Sequence, residues 1–411
     1  MELERVEGKI FYAGEFIDAT IEIEDGIVRN ITKKITGKKL KGIILPSAID
    51  VHVHFRDFKE KDKETIKTGS LAALHGGVCF VIDQPNTNPV VESYNTYANR
   101  IEIAEKNSFV DYALNLALTK NNFQDVNFEI KKIEKKLNVK VPAVGEVFLA
   151  HENENLQVEV KCLKFVKKRM VTVHAEDPNF ILFEKKVPNF SLRPPLAEIS
   201  AIRSCMSLGN VYFCHVTLRE SIKLIKTQNR LCEVTPHHLL FSVENPPDHP
   251  NVNPPLRKSA EKIYFKDLKL ADVLASDHAP HLLEDKKNGA SGFPGVETTY
   301  PIFVYLASKG ILSFSELIRL FCSNPAKIFK LRRYGEIKIG NYANFSVFNT
   351  SKVESIKPDK LHSKCGWTPY SGFNAIFPDK VIIRGMLALD EKNILVDQGF
   401  GKILSVSKQF L

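Results

Sequence analysis

The sequence predicts an α/β fold: a (β/α)8 TIM-like barrel over residues 48–337, with a small β-sandwich domain built from both termini, residues 1–47 and 338–411. Eight apolar, strand-like runs punctuate the middle of the chain, the number that closes a parallel barrel. Both ends alternate instead in short strands around glycine-containing turns. Histidines gather where the central runs stop, as expected if the C-terminal ends of barrel strands converge on one face.

Residues 1–47 form short alternating segments around turns such as Asp25-Gly26. The eight central runs follow at Ala48–His54, Cys79–Gln84, Asp111–Leu116, Ala143–Phe148, Thr172–His174, Val211–His215, Leu231–Val234 and Asp272–Ser276. Most are separated by helix-compatible stretches, among them Thr65–His75 and Ser93–Lys106. From about residue 338 the short strands return, around Gly340, Gly385 and Asp390. The two ends are therefore expected to build one domain beside the barrel.

A chain of 411 residues with 44% hydrophobic content can bury a large core. No apolar stretch approaches the roughly 20 residues that span a bilayer, and Met1-Glu2-Leu3-Glu4 lacks the features of a signal peptide. A soluble, cytoplasmic protein is expected. Seven cysteines without regular spacing argue against a disulfide framework; Cys79, Cys205, Cys214, Cys232 and Cys322 lie in apolar patterns and read as core residues. The net charge of +9 is spread along the chain, with no dense basic block interleaved with aromatics, so it points to a basic surface attractive to anionic substrates and not to nucleic acid or membrane.

The segment Asp50-Val51-His52-Val53-His54-Phe55-Arg56 places two imidazoles on alternate residues of a strand, where both point to the same side and can grip one cation. His174 and His215 end the fifth and sixth runs, and Asp277-His278-Ala279-Pro280-His281 follows the eighth. Imidazole and carboxylate ligands suit zinc and similar divalent ions. His52 and His54 would hold one metal, His174 and His215 a second. Glu146, in the fourth run, is placed to bridge them; a salt-bridged surface glutamate is the plain alternative. Asp277 is the candidate for a group that both touches metal and moves protons, against the alternative of a turn cap.

Longer motifs go further. The segments HVHFRD (His52–Asp57), DQPNTNP (Asp83–Pro89), HAED (His174–Asp177), RPPLAE (Arg193–Glu198), CHVT (Cys214–Thr217), EVTPHHL (Glu233–Leu239), NPPLR (Asn253–Arg257), ASDHAPH (Ala275–His281), GFPGVET (Gly292–Thr298) and NPAKIF (Asn324–Phe329) together resemble the dihydroorotases of the amidohydrolase superfamily, from about Leu45 to Gly385. The resemblance implies a cyclic amide substrate bearing a carboxylate, with Arg56, Asn86 and His281 as carboxylate contacts and Asn253 as a contact to the ring. It implies zinc, two ions per subunit or one, and a metal-activated hydroxide that attacks the ring carbonyl while Asp277 passes the proton to the leaving nitrogen. It implies (S)-dihydroorotate and N-carbamoyl-L-aspartate as the small-molecule partners, in pyrimidine (UMP) synthesis. Some relatives associate with aspartate carbamoyltransferase.

Two positions depart from the pattern. Many relatives bridge their metals with a carboxylated lysine where this chain has Glu146, a similar carboxylate on a shorter arm; Lys140, six residues upstream, is too far away to substitute. Asn344 stands where relatives often have aspartate. A hydantoinase or allantoinase would use the same metals on a substrate without the same carboxylate, which Arg56 and the Asn86 segment disfavour. A catalytically dead scaffold would be expected to have lost ligands, yet all are present. The polar stretch His151–Gln157 after the fourth run is the expected lid.

Overall fold

Every one of the eight central runs forms a barrel strand in the computed structural model, which describes residues 2–37 and 39–406. The strands are Ala48–Val53, Val78–Asp83, Asp111–Leu114, Ala143–Phe148, Met170–His174, Val211–Phe213, Leu231–Val234 and Val273–Leu274. The first three pair in parallel, as do the last five. Parallel bridges Leu116–Val144 and Val53–His278 join these arcs at both seams, so the barrel closes. These strands read as continuous apolar runs because helices cover their outer faces and side chains fill the interior.

The connections follow local chemistry. The helix Ile66–His75 begins at Thr65, whose side chain accepts from the backbone of Thr68 while Thr68 returns the bond. Ser93 and Thr96 make the same reciprocal cap for Tyr94–Asn107. Between strands four and five no α-helix forms: the chain passes through the 3-10 segment Val160–Phe165. Strand eight is shorter than its apolar run because the backbone turns at Asp277, where φ is +47°.

The terminal segments meet in one eight-stranded sheet. Its order across the sheet is Asn393–Ile394, Met386–Asp390, Pro378–Ile383, Phe345–Phe348, Ile43–Pro46, Arg5–Tyr12, Glu15–Glu24, Ile27–Thr32. Ile43–Pro46 pairs in parallel with Arg5–Tyr12 and antiparallel with Phe345–Phe348, which stitches the two ends of the chain together. Strand alternation divides its faces. Ile44 joins a cluster with Val6, Ile21, Phe345 and Leu387 inside the β domain, whereas Ile43 and Leu45 pack into the barrel core. Contacts between residues from distant strands show that the sheet folds over itself as a sandwich. At the turns, a Cβ on Gly26 (φ +71°) would lie 2.5 Å from the Arg384 carbonyl, so only glycine lets these two hairpins approach. All seven cysteines are buried and free. No described helix is long and apolar enough to cross a membrane.

Candidate metal centre

Barrel geometry brings the strand ends to one mouth, and the backbone there is unusual. Arg56, His215 and Asp277 adopt left-handed φ values of +47°, +32° and +47°. Such strain costs on the order of 1–3 kcal/mol per residue and tends to gather at functional sites. At strand four, Gly145 (φ +140°) passes so close to strand five that a Cβ would lie 2.4 Å from the Thr172 carbonyl oxygen. That close approach sets where Glu146 emerges.

Glu146 is the hub. Its Oε1 lies 3.0 Å from His174 Nδ1 and 2.6 Å from His215 Nε2. Its Oε2 lies 3.4 Å from His52 Nε2 and 3.7 Å from His54 Nε2. One carboxylate oxygen thus faces each histidine pair. Asp277 Oδ1 lies 3.2 Å from His54 Nε2 and 3.7 Å from His52 Nε2. Two overlapping triads, His52–Glu146–His215 and His52–His54–Asp277, each have their donor atoms within 4.8 Å of one another, and every member is buried.

This donor set fits divalent cations. His52 Nε2, which faces Glu146 and Asp277, is buried without a hydrogen-bond partner, a costly state that a coordinated ion would relieve. The electrostatics agree. Burial opposes charge on His52, yet the Glu233 and Glu146 carboxylates lift its pKa well above the ordinary range. His174 is likewise raised to about 9, against burial, by its hydrogen bonds to Glu146 and Glu176. Burial opposes the charge on Glu146, but His52 and hydrogen bonds from His174 and His215 hold it well below the usual carboxylate range. The carboxylates therefore demand positive charge among them, which protonated imidazoles or bound cations both supply.

A second ring of groups orients the imidazoles. Glu233 holds His52 Nδ1 and accepts from Tyr212 Oη at 2.8 Å. Asn86 Oδ1 accepts from His54 Nδ1 at 2.8 Å, and Glu176 Oε2 accepts from His174 Nε2 at 2.8 Å while pairing with Arg193. Such outer partners fix ring orientation and tautomer at metal sites. Glu233, Glu176 and Arg193 were not singled out from sequence. The available signal was Glu233 inside the apolar strand Leu231–Val234, since a buried carboxylate needs a partner.

A cavity of about 620 Å³ opens over this cluster. Of the residues expected at the site, His54, Arg56, Asn86, Glu146, His174, His215, Asn253, Asp277 and His281 line it, and His52 lies beneath. Arg56 is buried, donating to the Pro280 carbonyl at 3.2 Å and to His281 Nε2 at 3.1 Å. Asn253 Oδ1 accepts from Asn189 Nδ2 at 2.9 Å. His151, Glu152, Asn153 and Leu156, from the expected lid, also line the cavity. Lys140 donates to the carbonyls of Phe329 and Lys330, away from Glu146.

Residues 43–388 match the model of the amidohydrolase family. A dihydroorotase of Archaeoglobus fulgidus is 52% identical over 94% of this chain and 97% of its own length. The chain belongs to the dihydroorotase branch of the amidohydrolase family. Members from Pyrococcus abyssi (35% identical, 96% of both chains) and Methanosarcina acetivorans (33% identical, 97% of this chain and 94% of the relative) match with similar breadth. Among solved structures, the L-hydantoinase of Arthrobacter aurescens superposes with a TM-score of 0.89 over 98% of this chain and 100% of that one, at 22% identity. A D-hydantoinase from Thermus sp. gives 0.82 at 21% identity over 97% and 98%. These likenesses carry the family's fold, the (β/α)8 barrel with its β domain. Membership also makes the chain a metal-dependent cyclic amidohydrolase, in keeping with its histidine–carboxylate clusters.

Proposed function

We propose that this chain catalyses the reversible hydrolysis of (S)-dihydroorotate to N-carbamoyl-L-aspartate in pyrimidine synthesis, and that His52, His54, Glu146, His174, His215 and Asp277 would hold its zinc, two ions per subunit or one. The carrying observation is the division of Glu146, one oxygen toward each histidine pair, beneath a cavity walled by Arg56 and His281. Bound divalent ions supply Lewis acidity, acidifying water and polarising a carbonyl. The remaining work belongs to side chains of this protein.

Arg56, always charged and pre-organised by Pro280 and His281, receives the substrate carboxylate with a planar fork of donors. Asn86 and His281 line the same cavity as further carboxylate contacts, and Asn253, also in its lining, contacts the ring. Asp277 takes a proton from the attacking water and delivers it to the ring nitrogen as the amide bond breaks. Burial opposes its charge, but the hydrogen bond from His54 and the nearby His52 and His215 keep its pKa well below the usual range, so it begins as a carboxylate able to accept. In the cyclising direction the same groups act in reverse, because both directions share one transition state. Cytoplasmic residence is supported by the free cysteines. The reading extends to association with aspartate carbamoyltransferase, on the family resemblance, and co-elution of the two purified enzymes tests it.

Ultraviolet loss of dihydroorotate, with metal analysis, tests the function. Native protein is expected to turn over with bound zinc, Asp277→Ala to lose turnover, and Arg56→Ala to weaken mainly in KM. Native protein that holds metal yet neither opens dihydroorotate nor cyclises carbamoyl aspartate would refute the substrate assignment.

A further inference from the structure

Away from the metal centre, a cavity of about 440 Å³ brings His75, Glu297 and His362 together. The two imidazoles stack with centroids 3.6 Å apart and planes 10° apart, so no single ion can lie in both ring planes, and the cluster is a stacked pair braced by Glu297. The group with a consequence for the reaction is Lys286.

Lys286 is 2% exposed. Its ammonium donates to the Asn251 carbonyl and, at 2.9 Å, to the Gly292 carbonyl, and it lies over the rings of Phe293 (4.9 Å) and Trp367 (5.5 Å). Among the described residues no carboxylate pairs with it. A buried ammonium without a counter-charge is costly, and burial pushes its pKa down to about 7. A purely structural tie between two carbonyls needs no charge, since a neutral amide would donate as well.

Its surroundings belong to the substrate cavity. Asn251 precedes Asn253 by two residues, and Gly292 lines the cavity. A Cβ on Gly292 would lie 3.2 Å from the His281 ring, and Trp367 Nε1 donates to the His281 carbonyl at 2.7 Å. The His281 imidazole is held well below its ordinary pKa first by burial and then by the charges of Arg56, Lys63 and Lys286, so the charge of Lys286 is felt at that wall.

We propose that Lys286 is a specificity-determining residue, a buried amine whose ammonium form places positive charge behind the wall where Arg56 and His281 receive the substrate carboxylate, favouring anionic over neutral cyclic amides. This deepens the proposed dihydroorotate reaction and rests on it. In a poorly solvated site, one such charge across a pocket wall is worth about tenfold in binding.

The test compares native enzyme, Lys286→Met and Lys286→Gln at pH 6.5. Methionine removes both donors and charge, and glutamine removes the charge while keeping two donors. Both variants are expected to raise KM for dihydroorotate by about tenfold, with kcat within about twofold, zinc content unchanged, and the inhibition constant of 5,6-dihydrouracil, the same ring without the carboxylate, unaltered. A native KM in Lys286→Gln would reduce the residue to a hydrogen-bonding tie and overturn the proposal. So would equal weakening toward dihydrouracil, or joint loss of kcat, zinc and Tm, either of which marks general disorder of the wall. Inactivity of the native enzyme toward dihydroorotate would instead refute the function on which the proposal rests.

Discussion

Replacing Gly145 with alanine introduces one methyl group inside strand four, where its pairing with strand five shifts register between Val144 and Val147. The new Cβ would sit 2.1 Å from Thr172 Oγ1 and 2.4 Å from the Thr172 carbonyl oxygen, where ordinary contact begins at 3.4 Å. The hydroxyl can rotate away, but the carbonyl belongs to strand five, two residues before His174. Relief therefore requires the strands to separate by about 1 Å at this level, the difference between 2.4 and 3.4 Å. The φ of +140° adds on the order of 1–3 kcal/mol of strain for any residue with a Cβ. Glu146, the next residue, would move off at least one histidine pair, and a displacement of about 1 Å at a catalytic centre costs about 10²-fold in rate. The expected result is a kcat for dihydroorotate hydrolysis down by about 10²-fold, with reduced zinc content and a lower Tm. Gly209→Ala, where a Cβ meets nothing within 4 Å, is the matched control and should be nearly silent. Gly145→Ala with kcat and zinc content within about twofold of native would refute the argument that strand proximity positions Glu146.

Glu146→Gln keeps the shape of the bridge and removes its charge, so zinc should fall by at least one ion per chain in elemental analysis, with kcat falling at least about 10²-fold. Arg100→Met leaves the buried Asp83 carboxylate without its partner at 2.6 Å, which should cost about 3–5 kcal/mol in denaturant unfolding; a loss under about 1 kcal/mol would contradict the pairing. Because burial lowers Lys286 to about 7, the folded chain binds fewer protons than the unfolded one between about pH 7 and about 10.4. Native stability relative to Lys286→Met should therefore rise with pH across that window, and a falling Tm difference would contradict the assignment. Chelation should abolish turnover, with zinc restoring it, whereas an enzyme fully active after exhaustive chelation would contradict a metal-dependent reaction.

The fold and most of the candidate metal centre were legible in the sequence because both rest on local rules. Alternation along a strand puts His52 and His54 on one side whatever the surroundings, and a parallel barrel delivers His174, His215 and Asp277 to the same face as that pair. The eight apolar runs could be read without knowing their partners, since a strand buried on both faces is apolar throughout.

What the sequence by itself determined was the type and side of each strand-end histidine and carboxylate; which atoms meet was decided only by the tertiary structure. Glu233 holds His52 from 181 positions away, through the stagger of strands around the barrel, and nothing near either residue encodes that distance. The division of Glu146 between two histidine pairs depends on how closely strand five passes Gly145. Lys286 looks in sequence like one more lysine in a polar helix, Leu283–Lys287. It is buried because Phe293, Trp367 and two carbonyls from distant segments close around it. Hydrogen bonds and charge interactions act over a few ångströms of space, and chain folding alone sets which residues share that space.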